Sequence, residues 1–84
     1  MYTIIFKNKA RKELLSLPGY VIVSIEKKID ALAYNPRPSG YKKLKGSINE
    51  YRIRVGNYRV LYTIHDDIIT VFIFKIAHRK DVYK

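Results

Sequence analysis

Residues 50–64 read EYRIRVGNYRVLYTI, two runs of alternating apolar and polar residues joined by Gly56-Asn57. Alternation with a period of two predicts β-strands that bury one face. A two-residue connection with glycine in its first position favours a type II′ turn between antiparallel strands. The stretch therefore predicts a β-hairpin in which Arg54 lies directly opposite Arg59.

A third alternating run, at 68–76, extends the hairpin into a three-stranded antiparallel meander. A tight turn before this run predicts that Arg59 lies opposite Phe74. Because successive side chains of a strand point to opposite faces, the meander has an apolar face that can pack under helices. That core face comprises Tyr51, Ile53, Val55, Tyr58, Val60, Tyr62, Ile64, Ile69, Val71 and Ile73. The other face comprises Arg52, Arg54, Arg59, Leu61, Thr63, Thr70, Phe72 and Phe74.

The first half of the chain predicts one strand and two helices. Residues 2–6, YTIIF, form a β-branched and aromatic run typical of a buried strand. Asn8 can cap the helix that follows, which ends at Pro18-Gly19. Apolar residues at helical spacing predict a second helix over 20–34, and the Pro-rich and Gly-rich stretch 35–47 is predicted to be a basic loop. The predicted class is α+β: an N-terminal strand, a two-helix hairpin and the three-stranded antiparallel meander, with the helices on one sheet face.

Length and composition narrow the class of protein. A chain of 84 residues and 9.9 kDa allows one domain, which we expect to span 1–84. Cysteine is absent and there are two histidines, which excludes disulfides and thiolate metal sites, so we expect no metal and no other cofactor. Apolar runs of about 18 residues and the order of a signal peptide are both missing. We therefore expect a cytoplasmic protein without a membrane partner.

The charge balance indicates the kind of partner. Lys and Arg number 17 against 7 Asp and Glu, a net charge of +10. Such a field attracts polyanions, of which nucleic acid is the commonest. Arg54 opposite Arg59 is a like-charge pair that disfavours strand pairing, so stability alone would not select it. Several guanidinium groups on a rigid sheet favour a phosphate-binding site. The alternative is a solvated sheet face with arginine stems laid over apolar surface.

The C-terminal residues 77–83, AHRKDVY, leave the last strand beside the hairpin. This path is expected to bring four side chains close to the sheet face that carries the hairpin arginines, here called the arginine face: His78, Arg79, Lys80 and Tyr83. A solvated charged terminus whose tyrosine packs down would look similar. Because the hairpin arginines are nearby, we favour the interpretation that these C-terminal side chains act at the phosphate-binding site.

Four segments in order, KNKARKELLSLP, KKLKG, EYRIRVGNYRVLYTI and HRKDVY, give the chain a family resemblance over nearly its whole length. It resembles the RelE toxins of the RelE/ParE superfamily, bacterial and archaeal toxins of type II toxin–antitoxin modules. The most specific parts are YRIRVGNYRVLY and RKDVY. The resemblance implies a compact α/β fold with two helices on an antiparallel sheet. It also implies that the protein enters the ribosomal A site, cuts the bound mRNA codon and is held inactive by a cognate antitoxin wrapped around it.

By motif, the resemblance places an active site at Arg52, Arg54, Arg59, Arg79 and Tyr83. RNA cleavage without a metal needs an activated ribose 2′-OH, stabilisation of the phosphate charge and a protonated 5′ leaving oxygen. We expect the first three arginines to clamp the scissile phosphate. Arg79 would stabilise or protonate the leaving oxygen, and Tyr83 would stack on or orient a base.

These five residues do not identify the general base, because arginine is not deprotonated in proteins. Many RelE relatives have lysine where Arg52 and Arg54 stand, and lysine can lose its proton among cations. His78 is the candidate base, although a lone histidine after a strand is more often structural. Glu50 is a poorer candidate, since strand parity places it with the arginines only at the start of the strand. Some relatives use a carboxylate from the basic loop, but GYKKLKG offers none.

The expected partners are mRNA on the ribosome, ribosomal RNA and an acidic, partly helical antitoxin that neutralises the arginine face and displaces the C-terminal residues. The side chains expected to contact RNA backbone are Lys42, Lys43, Lys45 and Lys80, with solvated lysines as the alternative. Two other functions are open: a ParE-like inhibitor that acts by binding DNA gyrase, and an inert module that retains only its binding to antitoxin or operator DNA.

Overall fold

The structure of the protein, a computed structural model, describes residues 1–83. In chain order the elements are β1 (Thr3–Phe6), α1 (Asn8–Leu15), α2 (Gly19–Leu32), β2 (Lys42–Lys43), β3 (Glu50–Val55), β4 (Tyr58–His65) and β5 (Thr70–His78). Within these residues the strands form one sheet in the order β1-β5-β4-β3-β2. β1 and β5 are parallel, and the other neighbours are antiparallel.

The predicted α+β class is confirmed, but the sheet is wider than the predicted antiparallel meander. β3, β4 and β5 form that meander. β1 adds a parallel strand beside β5, with Thr3 opposite Thr70, so the sheet is mixed. Parallel pairing needs a long crossover, and no local sequence pattern reports which strands it joins. β2 lies within the predicted loop at 35–47, because a strand of two residues is too short to show periodicity.

Helix α1 follows β1 without a break. The Lys7 N–H donates to the carbonyl of Ile73 at 2.8 Å, so Lys7 still belongs to the sheet, and it is also the N-cap of α1. The predicted cap at Asn8 is wrong, because Asn8 is already the first helical residue, and no side chain within residues 1–83 caps this helix. Sheet pairing extends to Lys7, so the helix begins directly after it.

Both helices pack on the sheet face that was predicted to be apolar. Their buried residues are spaced by three or four positions, as one helix face requires, and comprise Ala10, Leu14, Val21, Ile25, Ile29 and Leu32. Beneath them the fully buried Tyr62 donates its hydroxyl to the carbonyl of Pro36 at 2.8 Å. Arg37 forms a salt bridge with Asp66 at 3.0 Å. These two contacts hold the segment after α2 against the sheet.

The longer helix, α2, has 14 residues. Nowhere in residues 1–83 is a helix long and apolar enough to cross a membrane.

The predicted register of the first hairpin is confirmed, with Arg54 opposite Arg59. The predicted register of the second is wrong, because Arg59 lies opposite Ala77 rather than Phe74. The connection is longer than predicted, and Ile69 in it has φ 50°. The register also shifts between Leu61 and Tyr62, which leaves Phe74 as an extra residue in β5. Such a bulge reverses the alternation of faces beyond it, so side chains after Phe74 point opposite to their predicted direction.

Candidate nucleic-acid interface

The sheet face turned away from the helices carries a concentrated positive charge. Directly opposed residues of neighbouring strands project to the same face. One such row runs across four strands and contains Lys42, Arg52, Leu61 and Lys75. The next row contains Arg54, Arg59 and Ala77. We call these two rows the basic face.

The C-terminal segment, residues 79–83, lies over the basic face. The Arg79 N–H donates to the carbonyl of Asn57 at 2.7 Å, which ties the segment to the β3–β4 turn. Leu61 points away from the helices yet is only 4% exposed, so another part of the chain must bury it on the outer face of the sheet. Val82, at 2% exposure, is likewise buried outside the main apolar cluster. The segment therefore buries a small apolar area in the middle of a charged surface.

Arg52 is buried beside this cover, with 5% of its surface exposed. Within residues 1–83 its Nη1 atom has no hydrogen-bond partner. Arg52 lines a groove of about 420 Å³, whose other lining residues are Lys42, Lys43, Leu44, Lys45, Glu50 and Tyr83. A buried guanidinium donor without an acceptor is unfavourable unless an anion arrives to accept from it. Arg52 therefore adds a positive charge, without a hydrogen-bond acceptor at Nη1 in the described part of the chain, to the wall of a groove that already contains three lysines.

Arg59 is held at the hairpin turn, where its Nη1 donates to the carbonyls of Gly56 at 3.0 Å and Tyr58 at 2.9 Å. Its pKa is lowered by burial and then by three nearby cations, the arginines at 54, 52 and 79, while Tyr83 acts in the opposite direction. The group stays a cation, because the ordinary arginine pKa lies far above neutrality. Mutual repulsion in the free protein means that a bound phosphate would relieve several unfavourable contacts together.

The structure thus brings five of the predicted site residues into one neighbourhood: Arg52, Arg54, Arg59, Arg79 and Tyr83. They come from β3, β4 and the C-terminal segment. Arg54 and Tyr83 are exposed and Arg59 is half-buried, whereas Arg52 is almost fully covered. Their roles in catalysis stay predictions.

His78, the predicted base, lies on the other side of the sheet. It is paired with Tyr58, whose ring is 5.5 Å away and packs against the core under the helices. The Nδ1 atom of His78 accepts a hydrogen bond from the Lys80 backbone N–H at 3.2 Å. Strict alternation along β5 would have placed His78 with the arginines, and the bulge at Phe74 reverses this. The structure therefore does not bring His78 into the groove.

The same pairing places the other histidine on the basic-face side of the sheet, where sequence reasoning did not look for it. His65 lies opposite Thr70, with its Nε2 3.1 Å from Thr63 Oγ1 and its ring 5.1 Å from that of Phe72. It is six residues along β4 from Arg59, or roughly 20 Å at the rise of a strand. His65 therefore lies away from the cluster formed by the arginines at 52, 54, 59 and 79, here called the arginine cluster.

Comparison with known proteins identifies the family. The family described as the ParE toxin of type II toxin–antitoxin system, parDE, matches residues 4–83. Toxin RelG of Mycobacterium tuberculosis is 32% identical over 84 residues, which covers 99% of this chain and 97% of that protein. Toxin RelE3 of Methanocaldococcus jannaschii is 33% identical over 84 residues, with coverage of 95% and 93%. The chain is a RelE-type toxin of the RelE/ParE superfamily.

Solved structures agree with this assignment of the toxin. The archaeal RelE–RelB complex from Pyrococcus horikoshii contains a chain that superposes with a TM-score of 0.84 at 29% identity, covering 96% of the toxin and 98% of that chain. The isolated E. coli RelE toxin gives 0.83 at 28% identity, with coverage of 93% and 84%. The fold predicted from the family resemblance is therefore confirmed, except that the sheet is mixed rather than antiparallel throughout.

The toxin holds three of its four predicted RNA-contacting lysines around the groove: Lys42, Lys43 and Lys45. They are exposed, and their backbone is fixed to the edge of β3, because Lys42 pairs with Arg52 and the Leu44 N–H donates to the Glu50 carbonyl at 2.8 Å. Lys80 is exposed on the C-terminal segment and is not among the residues that line the groove.

Among residues 1–83 of the toxin, no three His, Asp or Glu side chains are grouped so that they could hold a metal ion. The groove instead combines several cations with one carboxylate, that of Glu50. This charge pattern suits a polyanion better than a cation. Strand parity predicts Glu50 on the face of Arg52 at the start of the strand, and the structure places it there.

Proposed function

We propose that this toxin is a metal-independent endoribonuclease that cuts mRNA codons in the ribosomal A site and so inhibits translation. The observation that carries the proposal is the convergence of four arginines and Tyr83 beside a cationic groove. RelE-named relatives at about one-third identity over almost the whole chain support the same activity. We further propose that it acts in the cytoplasm, where ribosomes are found.

The proposed mechanism uses the arginines to stabilise charge. Arg52 offers an unpartnered guanidinium N–H to the scissile phosphate. Arg59 exchanges its two carbonyl acceptors for phosphate oxygens, and Arg54 across the hairpin contributes a third cation. Bidentate donors on a rigid sheet are suited to the extra charge of a pentavalent phosphorus. Arg79 stabilises the 5′ leaving oxygen, and Tyr83 stacks on or orients a base of the codon.

Binding to the ribosome is assigned to lysines outside the arginine cluster. They contact ribosomal RNA backbone through long-range charge attraction rather than base recognition, and comprise Lys42, Lys43, Lys45 and Lys80. A cognate antitoxin is the second proposed partner, supported by the solved RelE–RelB complexes. An acidic segment of that antitoxin would neutralise the basic face and displace the C-terminal segment.

The test is a cleavage assay on ribosomes programmed with a synthetic mRNA, read by primer extension. The wild-type toxin should cut within the A-site codon, and a codon with 2′-deoxyribose at the scissile position should stay intact. Arg59→Ala and Arg79→Ala should each lower the single-turnover rate by about 100-fold or more. Arg11→Ala is the matched control, because Arg11 is exposed on α1 and stacks on Phe6. Near-normal cleavage by both site variants would overturn the assignment of the arginines.

A ParE-like inhibitor of DNA gyrase is the second candidate, because the matching family is described as the ParE toxin. Such a protein would act by binding and would not need arginines arranged around one phosphate. Gyrase-dependent DNA breaks after expression, with mRNA intact, would establish this function in place of RNA cleavage. Failure of the wild-type protein to arrest growth would favour an inert module that only binds its antitoxin or operator DNA.

A further inference from the structure

Glu50 occupies a distinctive place in the groove. It is the first residue of β3 and lies opposite Thr63, on the same side of the sheet as the basic face. It is half-buried and is the one carboxylate residue among the seven that line the groove. Within residues 1–83 its carboxylate forms no salt bridge shorter than 4.0 Å, although three lysines and Arg52 line the same groove.

An unpaired carboxylate among cations has a clear chemical use. A glutamate carboxylate is ionised in neutral water and can therefore accept a proton. The guanidinium groups of the site cannot, since arginine is not deprotonated in proteins. His78 faces the helices and its Nδ1 already accepts a backbone N–H. Glu50 is thus a group beside Arg52 that can accept a proton without first losing one of its own, as a lysine would have to.

The position of Glu50 relative to Arg52 fits this use. The two residues are separated by one position on the same face of β3, about 7 Å along the strand. A phosphate bound beside Arg52 would share the groove with the Glu50 side chain.

We propose that Glu50 is the general base of the reaction, an inference that rests on the endoribonuclease function proposed above. Its carboxylate removes the proton of the 2′-OH, and the 2′-oxygen forms a bond to phosphorus while the bond from phosphorus to the 5′-oxygen breaks. The 5′-oxygen takes a proton from solvent, and Glu50 afterwards releases its proton to solvent. The products are a 2′,3′-cyclic phosphate and a 5′-hydroxyl, so protons and electrons balance.

The charged surroundings of Glu50 shape the expected pH dependence. The groove supplies Lys42, Lys43, Lys45, Arg52 and Tyr83, and the outer side of β4 and β5 supplies His65 and Lys75. In general, lysine, arginine and tyrosine side chains titrate above pH 8, and carboxylates titrate below pH 6. A carboxylate base therefore predicts a cleavage rate that is flat over this range, whereas a lysine base predicts a rate that rises with pH.

The experiment measures single-turnover cleavage on programmed ribosomes between pH 6 and 8. Glu50→Gln keeps the shape of the side chain and the backbone bonds of β3, and should lower the rate by about 100-fold or more at pH 7. Its remaining rate should rise by about tenfold per pH unit, because hydroxide must then remove the proton. Binding to the ribosome, measured by co-sedimentation, should not weaken. Glu26→Gln, on an exposed site of α2, is the matched control.

The outcomes separate the two proposals. No cleavage by the wild-type protein would refute the endoribonuclease function, and the role of Glu50 with it. Cleavage by wild type together with a Glu50→Gln rate within threefold of it would refute the base alone. A lower rate with an unchanged pH profile would also refute it, since Glu50 would then only position the substrate. His65→Gln identifies any part of the profile that comes from that imidazole. Thermal unfolding of each variant confirms that it is folded.

Discussion

Replacing Arg52 with methionine should make the toxin more stable and less active. Arg52 is 5% exposed, and its Nη1 has no acceptor in residues 1–83. A buried charged donor without a partner costs about 1–3 kcal/mol or more, and methionine retains an unbranched apolar stem. We therefore expect Arg52→Met to raise the free energy of unfolding by about 1–3 kcal/mol. For a domain of this size, about 1 kcal/mol corresponds to roughly 4–8 °C in Tm.

Equilibrium urea unfolding measures this gain as a higher midpoint with an unchanged slope. Arg54→Met is the matched control, because Arg54 lies two residues along the same strand and face but is exposed. Its stability should change by no more than about 0.5 kcal/mol. Inorganic phosphate gives a second readout: at ten times its Kd it should stabilise wild type by about 1.4 kcal/mol. Arg52→Met should lose most of that response.

Two results would refute the reasoning about Arg52. If Arg52→Met unfolds at a lower urea concentration than wild type while Arg54→Met does not, the Arg52 guanidinium makes favourable contacts in the free protein. It would then not need a bound anion to offset its burial. If phosphate stabilises wild type and Arg52→Met equally, the buried N–H is not its receptor. A variant that is more stable yet cuts mRNA at the wild-type rate would separate the buried charge from the proposed activity.

Three further predictions concern the groove, the core and the acid range. The slope of log affinity for ribosomes against log salt should fall in magnitude by about 2 when glutamine replaces three lysines, Lys42, Lys43 and Lys45. Tyr62→Phe should lower the free energy of unfolding by about 1–2 kcal/mol, because the buried Pro36 carbonyl loses its donor; an unchanged urea midpoint would contradict this. Arg37 and Tyr2 hold the pKa of Asp66 below its ordinary value by hydrogen bonding. This stabilisation is therefore present above the ordinary aspartate pKa of about 3.9 and is lost as the pH falls below it. The free energy of unfolding should consequently differ less between pH 7 and pH 3 in Asp66→Asn than in wild type.

Local pattern was sufficient to predict the part of the fold that carries the arginines. The hairpin over 50–64 has a two-residue turn, which sets the register, and the register alone placed Arg54 opposite Arg59. Period-two parity then separated the two faces of β3 and β4, but it failed in β5 beyond Phe74. The helical stripe of α2 was also readable, because a buried helix face repeats every three or four residues.

Other features depended on contacts between distant parts of the chain. The parallel pairing of β1 with β5 joins residues far apart in sequence, and β2 is too short to leave a pattern. The bulge at Phe74 turned His78 toward the helices, which removed the base that strict alternation would have provided. A bulge arises from how two strands fit together, so neither strand alone reveals it.

The sequence by itself determined that this protein is a small, strongly basic α+β domain with arginines gathered on one side of a hairpin, because charge and strand parity are local properties. Only the tertiary structure decided that Arg52 is buried without an acceptor at Nη1 among the described residues and that a groove forms beside it. Those two facts depend on what the C-terminal segment and β2 cover. Burial of this kind results from tertiary packing, which no periodicity in the sequence encodes.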